Sequence, residues 1–197
     1  FDFINQTENS GIYGAMNYGF KYANKNEWML FWGSDDFASS ENTIEDLRNL
    51  INSVDFHKKD MIIFKGFYFD NTKNKITSIN HFSKINNINL NYKQYRNKLL
   101  MGFRQSHQST LINPNNNLKN LRYKEKFSLA ADLNYFIESS SVMGNQVFLF
   151  NKHLVNIGIG GISRRRHFRR TFEVLYIYWK EFKFIFFIPF ILRYLKN

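Results

Sequence analysis

The sequence predicts a layered α/β fold, because segments with helical periodicity alternate with short apolar segments that are typical of strands. Apolar residues recur at helical spacing in residues 41–54 and 127–140, whereas residues 27–32 and 60–70 hold apolar runs. The chain has 197 residues, 44% of them hydrophobic and 18% aromatic, which is enough for one sizeable core. It has no cysteine, which excludes disulfides and thiolate metal sites.

The first half of the chain contains four predicted elements. Residues 11–24 follow Ser10-Gly11 and carry apolar side chains on one side, which predicts a helix. Residues 27–32, "EWMLFW", form a short apolar run and predict a buried strand. Residues 41–54 predict an amphipathic helix, and residues 60–70, "DMIIFKGFYFD", predict a strand or a hairpin arm.

The second half continues the alternation of strands and helices. The Asn/Lys-rich residues 71–98 predict a loop with short strands, and "STLINP", residues 109–114, predicts a strand that Pro114 ends. A helix is expected over residues 127–140, and residues 145–163 predict one or two strands closing on a glycine turn. The aromatic and basic tail, residues 168–197, predicts a helix with a break or kink at Pro189.

Two adjacent carboxylates, Asp35 and Asp36, follow the apolar run of residues 27–32. In open α/β sheets, ligands bind beyond the carboxyl ends of the strands. Two close carboxylates repel each other unless one is protonated or a cation is present, and Mg²⁺ or Mn²⁺ accepts such ligands together with substrate phosphates. The pair is equally typical of a solvated turn or a helix N-cap. The stretch "GSDD", residues 33–36, leaves both interpretations open when taken alone.

The surrounding sequence, "NSGIYGAMNYGFKYANKNEWMLFWGSDDF", resembles the central motif of family 2 GT-A glycosyltransferases. Three downstream stretches resemble further motifs of that family in the same order: "RQSHQSTLI", "YKEKFSLAADLNYFI" and "IGIGGIS". The chain departs from the family pattern at Gly14, where Asp is usual, and at Gly33, where Asn or Asp is usual. The resemblance implies a Rossmann-like GT-A fold and transfer of a sugar from a nucleotide-sugar donor to a polysaccharide or lipid-linked saccharide acceptor, with inversion.

The resemblance also implies a domain organisation. Residues 1–163 correspond to a partial GT-A domain, and residues 164–197 form a basic, aromatic helical tail. The motifs of the family's N-terminal βαβ unit, which binds the nucleotide base, are not found. We therefore expect an N-terminally truncated domain that lacks much of the base pocket.

The resemblance implies that Asp35 occupies the third position of a DXD-type motif and binds a Mg²⁺ or Mn²⁺ ion on the donor diphosphate. Asp36 would support the metal, and Ser34 would lie at the donor. Gly33 occupies the first position of the motif, so the ribose contact that a side chain provides there is lost. The cation would neutralise the departing nucleoside diphosphate as a Lewis acid.

Asp132 is implied as the general base that takes the proton of the acceptor hydroxyl. Its neighbours "LAA" and "LNYF" are largely apolar, so we expect its pKa to be raised. The alternative is an acid in the first turn of a helix that complements the helix dipole.

Five further residues are candidate donor or acceptor contacts, four of them through the resemblance and Arg164 as a basic residue next to "GGIS". His107 and Gln108 match the segment that the family places near acceptor or diphosphate. Tyr13 and Asn17 lie one helical turn apart and would face the donor sugar or support the metal turn, with core packing as the alternative for Tyr13. Arg164 would hold a phosphate.

The tail concentrates the positive charge of a chain whose net charge is +11, since residues 164–170, "RRRHFRR", contain five arginines. The uncharged run 184–192 is too short for a spanning helix, which needs about 20 residues. Basic and aromatic residues together favour an interfacial helix on anionic lipid. Ordinary packing of a C-terminal helix is the alternative. With the resemblance, the expected location is the cytoplasm, at the inner face of the plasma membrane.

Two other functions compete with glycosyl transfer. A non-catalytic GT-A remnant that acts as a scaffold at the membrane would explain the missing N-terminal unit and the departures at Gly14 and Gly33. A nucleic-acid-binding protein would use the basic charge and the aromatic residues. The positive charge is concentrated at one end and no nucleic-acid-binding motif is visible, so no nucleic-acid partner is expected.

Overall fold

The computed structural model describes residues 11–24, 27–53, 56, 58–70, 75–79, 87–159, 166–188 and 191. The helices in this part of the chain are α1 (Gly11–Gly19), α2 (Thr43–Ile51), α3 (Tyr92–Leu100), α4 (Ala131–Ser139) and α5 (His167–Phe182). The strands are β1 (Phe37–Ala38), β2 (Met61–Asp70), β3 (Lys75–Ile79), β4 (Ile88–Asn91), β5 (Thr110–Ile112) and β6 (Gln146–Gly158). Two 3₁₀ turns cover His107–Ser109 and Lys183–Phe186.

The centre of the sheet is the parallel pair β2 and β6, which runs from Met61 beside Val147 to Phe69 beside Gly158. Shorter antiparallel strands flank this pair: β5 and β3 lie along β2, and β4 and β1 lie along β6. The first half of β2 is buried, as is typical of strands covered by other elements on both faces.

Alternate residues of β2 face two separate apolar clusters, because successive strand residues point to opposite faces of the sheet. Met61 and Ile63 join the larger cluster with apolar residues of α1, α3, α4 and α5. Ile62 and Phe64 join the smaller cluster, to which α2 contributes Leu47. The sheet therefore has helices on both faces, and the predicted α/β class is confirmed.

The helical tail packs on the domain. Val174, Ile177 and Tyr178 of α5 belong to the larger core cluster, and the Tyr178 hydroxyl donates a hydrogen bond to the Leu99 carbonyl at 3.2 Å. The predicted domain boundary at residues 163 and 164 lies outside the described residues and stays a prediction. None of the helices in the described part of the chain is long and apolar enough to cross a bilayer.

Most predicted elements are present. The helix of the tail ends at Phe182, and the break predicted at Pro189 lies outside the described residues. Two further elements differ from the prediction. Residues 27–32 are extended but form only an isolated bridge, in which Met29 and Ile112 exchange backbone hydrogen bonds of 2.8 and 2.9 Å. The partner strand β5 has only three residues, so the apolar run cannot form a longer ladder. Helix α3 was not predicted; a reciprocal capping box between Asn91 and Gln94 starts it within the polar segment.

Candidate active site

Asp36 ties a tight turn to the end of the central strand β6. Its Oδ2 accepts a hydrogen bond from the Gly33 N–H at 2.6 Å, and its Oδ1 accepts one from the Gly158 N–H at 3.2 Å. The Asp36 N–H in turn donates to the Gly33 carbonyl at 3.2 Å. The acidic turn thus lies at the carboxyl ends of the parallel strands β2 and β6, where ligands bind in open α/β sheets.

Asp35 lies against the backbone of Gly158. A Cβ atom at position 158 would be 2.4 Å from Asp35 Oδ2 and 2.7 Å from the Asp35 carbonyl oxygen, so this close approach requires glycine. A Cβ at Gly33 would be 3.0 Å from Asp35 Oδ1, which is also crowded. Two glycines therefore frame the Asp35 carboxylate, while Asp35 itself remains exposed to solvent.

The pKa of the Asp36 carboxyl is raised above its usual value, mainly by burial and also by the neighbouring Asp35. The N–H groups of Gly33 and Gly158 and the His107 imidazole lower it, but they do not outweigh burial. Among the residues that the structure describes, no Lys or Arg forms an ion pair with Asp35 or Asp36. The turn is therefore a locally uncompensated negative site, which a cation would stabilise.

The acidic turn fits a divalent cation only as part of a shared site. Within the described residues, no group of three His, Asp or Glu side chains could hold a metal ion. Mg²⁺ is commonly bound by one or two carboxylates together with substrate phosphates and water. Asp35 and the partly engaged Asp36 supply that number of carboxylates, so these residues fit an ion that a diphosphate helps to bind.

Asp132 lies in the first turn of α4 with its side chain 28% exposed. Its Oδ1 accepts a hydrogen bond from the Leu133 N–H at 2.7 Å and lies 3.5 Å from the Tyr13 hydroxyl. Its Oδ2 lies 3.9 Å from His107 Nδ1, which is longer than a hydrogen bond. Asp132 thus shares a site with two other predicted residues, Tyr13 and His107.

The prediction that the pKa of Asp132 is raised is wrong. Burial does raise it, but His107, the Leu133 N–H and the charge of Arg170 together outweigh burial, and the pKa of the carboxyl lies below its usual value. Asp132 is therefore ionised at neutral pH, as a general base must be, although a lowered pKa makes it a weaker base.

His107 influences both acidic sites, since its imidazole lowers the pKa of Asp36 and that of Asp132. It lies in the 3₁₀ turn that precedes β5 and is buried. Within the described part of the chain, its Nδ1 is a buried atom without a hydrogen-bond partner. This nitrogen lies 3.9 Å from Asp132 Oδ2, so His107 lies beside the Asp132 carboxylate.

Gln108 is engaged in holding the same turn in place. Its carbonyl accepts a hydrogen bond from Trp32 Nε1 at 2.8 Å, and its side chain and its N–H both contact Ser106 Oγ. The segment before the acidic turn and the His107 turn are therefore joined directly. A ligand-binding role for Gln108 stays a prediction.

Tyr13 and Asn17 project from α1 toward the segment that leads to α4. Tyr13 is buried and stacks on Tyr123 at a centroid distance of 5.6 Å, and burial and the Asp132 charge raise the pKa of its hydroxyl well above the usual value. Asn17 Nδ2 donates to the Tyr123 carbonyl at 2.8 Å and to Glu125 Oε1 at 3.0 Å, and its Oδ1 accepts from the Tyr123 N–H at 2.8 Å. Tyr13 thus contacts Asp132 directly, and Asn17 holds the segment around Tyr123 against α1. Contacts of either side chain with the donor stay predictions.

The remaining predicted residues are placed less specifically. Ser34 is exposed at the tip of the acidic turn, next to Asp35. Arg164 lies outside the described residues. Donor contacts of both residues stay predictions.

Two residues of the site were not singled out from the sequence. Gly158 is the first glycine of "IGIGGIS", and its position after a long apolar strand was the available signal for a close approach. Trp32 ends the apolar run before the acidic turn, but nothing in the sequence indicates its hydrogen bond to Gln108, because 76 positions separate the two residues.

Comparisons with known proteins identify the family and the fold of this chain. The sequence profile described as Glycosyl transferase family 2 matches residues 1–117, which is more than half of the chain. The chain belongs to glycosyl transferase family 2. Family membership confirms the predicted resemblance and, at the level of the family, the predicted enzyme class. The matched residues include the acidic turn and His107, whereas Asp132 lies beyond them.

The fold is similar to solved structures as well. The crystal structure of S. aureus TarS aligns with 88% of this chain at a TM-score of 0.56 and 17% sequence identity, which supports the GT-A fold of family 2. The chain spans 28% of the length of that TarS chain. A comparison with curated protein sequences found no match.

Proposed function

We propose that this chain carries the diphosphate-binding turn and the base of an inverting, cation-dependent glycosyltransferase. The supporting observation is that the Asp35–Asp36 turn lies at the carboxyl ends of β2 and β6, and that His107 acts on Asp36 and lies 3.9 Å from Asp132. Donors of this class are nucleotide sugars, and the acceptor is a saccharide, free or linked to a lipid.

Each side chain has a defined part in this reaction. The acceptor hydroxyl attacks the anomeric carbon as Asp132 takes its proton, and the nucleoside diphosphate departs from the opposite side. His107 keeps Asp132 ionised before the attack. Asp35, supported by Asp36, would hold Mg²⁺ or Mn²⁺, which when bound neutralises the charge of the diphosphate.

The first test is isothermal titration of UDP and of GDP, with and without Mn²⁺, on the chain and on Asp35→Ala. We expect Mn²⁺-dependent binding of one nucleotide that Asp35→Ala abolishes. Asp46→Ala is the matched control. Asp46 is a half-exposed carboxylate on α2 that pairs with Lys152 of β6, away from the acidic turn. Failure of the folded chain to bind either nucleotide would contradict the proposal and support a non-catalytic scaffold.

We also propose that the outer face of α5 contacts the cytoplasmic surface of the membrane. Phe168, Phe172, Tyr176 and Trp179 recur at intervals of four, four and three residues, and each is exposed, Phe168 by 86% and Phe172 by 69%. Exposed Arg169, Arg170, Lys180 and Lys183 lie on the same helix or just beyond it. An aromatic stripe with basic neighbours suits the headgroup region of anionic lipid.

Sedimentation with vesicles tests this contact. We expect the chain to sediment with phosphatidylglycerol vesicles and to remain in solution with phosphatidylcholine. The double variant Phe168→Ser with Phe172→Ser should lose the binding, whereas Ile44→Ser, which changes an exposed apolar residue of α2, should retain it. Equal sedimentation of the double variant would show that the stripe does not contact lipid.

A further inference from the structure

Helix α4, which carries Asp132, lacks a capping side chain of its own. Its N-cap residue is Ala130, which has no side chain that can accept a hydrogen bond from the first turn. The first N–H groups of any helix have no partners within the helix, and their burial without other partners destabilises the start of the helix. Asp132 lies only two residues after Ala130, so its position depends on how this start is held.

Glu173 of α5, from another part of the chain, instead holds the turn that leads into α4. Its Oε1 accepts hydrogen bonds from the Ser128 N–H at 3.2 Å and from the Ser128 hydroxyl at 3.1 Å. Its Oε2 accepts from the Leu129 N–H at 2.9 Å and from the Ala130 N–H at 3.0 Å. One carboxylate thus binds three consecutive backbone N–H groups directly before α4, in the manner of an anion at a helix N-terminus.

The helix that carries Glu173 is itself fixed firmly. Val174 and Ile177 pack in the larger core cluster, and Arg96 contacts the Glu181 carboxylate and stacks on Phe182. The Glu173 side chain is only 12% exposed, although Arg169 pairs with it at 3.4 Å from the solvent side. The capping carboxylate is therefore held in one place by its helix rather than by the segment it caps.

We propose that Glu173 is a positioning residue, which fixes the N-terminus of α4 and thereby holds the Asp132 carboxylate beside His107 and Tyr13. The inference rests on the proposed role of Asp132 as the base. It also assigns to α5 a part in the active site, because the Glu173 side chain of this helix, which we propose to face the membrane, contacts the turn that leads into the base-bearing helix.

The test measures the chain itself and needs no sugar donor. Amide hydrogen exchange of residues 128–133 and titration of the Asp132 carboxyl by carbon NMR are compared in the unmodified chain, Glu173→Ala and Glu173→Gln. We expect the amides of Leu129 and Ala130 to exchange at least about tenfold faster in Glu173→Ala, since they lose their acceptor. The titration midpoint of Asp132 should move up toward that of an ordinary aspartate, and Glu173→Gln should show a smaller change of the same sign.

Two further variants separate positioning from general stability. Arg169→Ala removes only the exposed ion pair of Glu173 and should leave the Asp132 titration unchanged. Adding Ala130→Ser to Glu173→Ala gives α4 its own capping hydroxyl, which can accept from the Asp132 or Leu133 N–H. It should restore part of the Asp132 midpoint but not the protection of the Leu129 and Ala130 amides.

The overturning result is a Glu173→Ala protein that melts at a lower temperature but keeps the Asp132 midpoint and the amide protection of the unmodified chain. Glu173 would then only dock α5. UDP or GDP binding with Mn²⁺ should be unaffected by Glu173→Ala, because the acidic turn is elsewhere. If the unmodified chain does not bind either nucleotide, the proposed function is contradicted. The NMR comparison still tests the positioning role of Glu173, because it needs no nucleotide.

Discussion

Asp36 and Asp132 are both partly buried aspartates near His107, yet the protein shifts their pKa values in opposite directions. Asp36 is next to a second carboxylate, and burial leaves its pKa raised in spite of two N–H donors. Asp132 has no carboxylate beside it in sequence, and His107 with the Leu133 N–H lowers its pKa in spite of burial. Burial raises the pKa of both carboxyls, so the opposite outcomes come from their different neighbours, chiefly His107 beside Asp132.

Removal of the base should give the largest effect. We expect Asp132→Asn to reduce transfer by about 10²–10⁴-fold, the range typical of a general base, with nucleotide binding preserved. The measurement is turnover with the nucleotide sugar whose nucleotide binds in the titration. Asp46→Asn is the control, and full activity of Asp132→Asn would remove Asp132 from the chemistry.

Crowding of the acidic turn around Asp35 and Asp36 should have the next largest effect. Gly158→Ala places a Cβ 2.4 Å from Asp35 Oδ2, so the turn must shift, and we expect loss of Mn²⁺-dependent nucleotide binding. Overpacking of this kind also costs about 1–3 kcal/mol of stability. Gly19→Ala is the control, since its Cβ would make contacts of 3.4 Å, and nucleotide binding should persist there.

The pH dependence of stability should differ in sign between the two aspartates. For Asp132 the folded pKa lies below the unfolded value of 3.8, so its stabilisation is present above pH 3.8 and is lost as pH falls through the folded pKa. For Asp36 the folded pKa lies above the unfolded value of 3.8. Ionisation of Asp36 therefore destabilises the folded chain as the pH rises from 3.8, and the effect is complete above the folded pKa.

Urea unfolding of the unmodified chain, Asp132→Asn and Asp36→Asn between pH 3 and pH 7 measures this difference. Each unit of pKa shift changes the free energy of unfolding by about 1.4 kcal/mol. As the pH falls, the unmodified chain should lose its advantage over Asp132→Asn and should gain relative to Asp36→Asn. Parallel curves for the two variants would show that the two sites are electrostatically alike.

The smallest effect is expected from the link between the two regions. Trp32→Phe removes the N–H that binds the Gln108 carbonyl and should lower the free energy of unfolding by about 1 kcal/mol. Nucleotide binding should persist, because the acidic turn keeps its bonds to Gly158. A loss of binding in Trp32→Phe would mean that the His107 turn and the acidic turn work as one unit.

Local patterns predicted most of the fold. The helices at residues 41–54 and 127–140 and the strand at 60–70 follow from side-chain periodicity, which is a property of neighbouring residues. Helix α3 could also have been found, since the Asn91–Gln94 capping box is visible in "NYKQ". The apolar run of residues 27–32 could not be settled locally, because its pairing depends on the length of β5.

The site was less predictable than the fold, for a physical reason. The types of the key residues were read from motifs, but the pKa of Asp132 depends on His107, which lies 25 positions earlier and approaches only in the folded chain. The close contact of Asp35 with Gly158 and the capping by Glu173 likewise join distant segments. Electrostatic environment is a property of the folded chain, whereas periodicity is a property of the sequence.

The parallel pairing of β2 with β6 has a consequence for synthesis of the protein. Met61 cannot meet Val147, nor Phe69 meet Gly158, until the ribosome has made the whole of β6. Contacts this distant in sequence have a high loop-closure entropy and form slowly. Since Gly158 also completes the turn around Asp35 and Asp36, a nascent chain that ends before β6 has neither its central sheet nor its acidic site. Premature release would therefore yield an inert product rather than a partly active one.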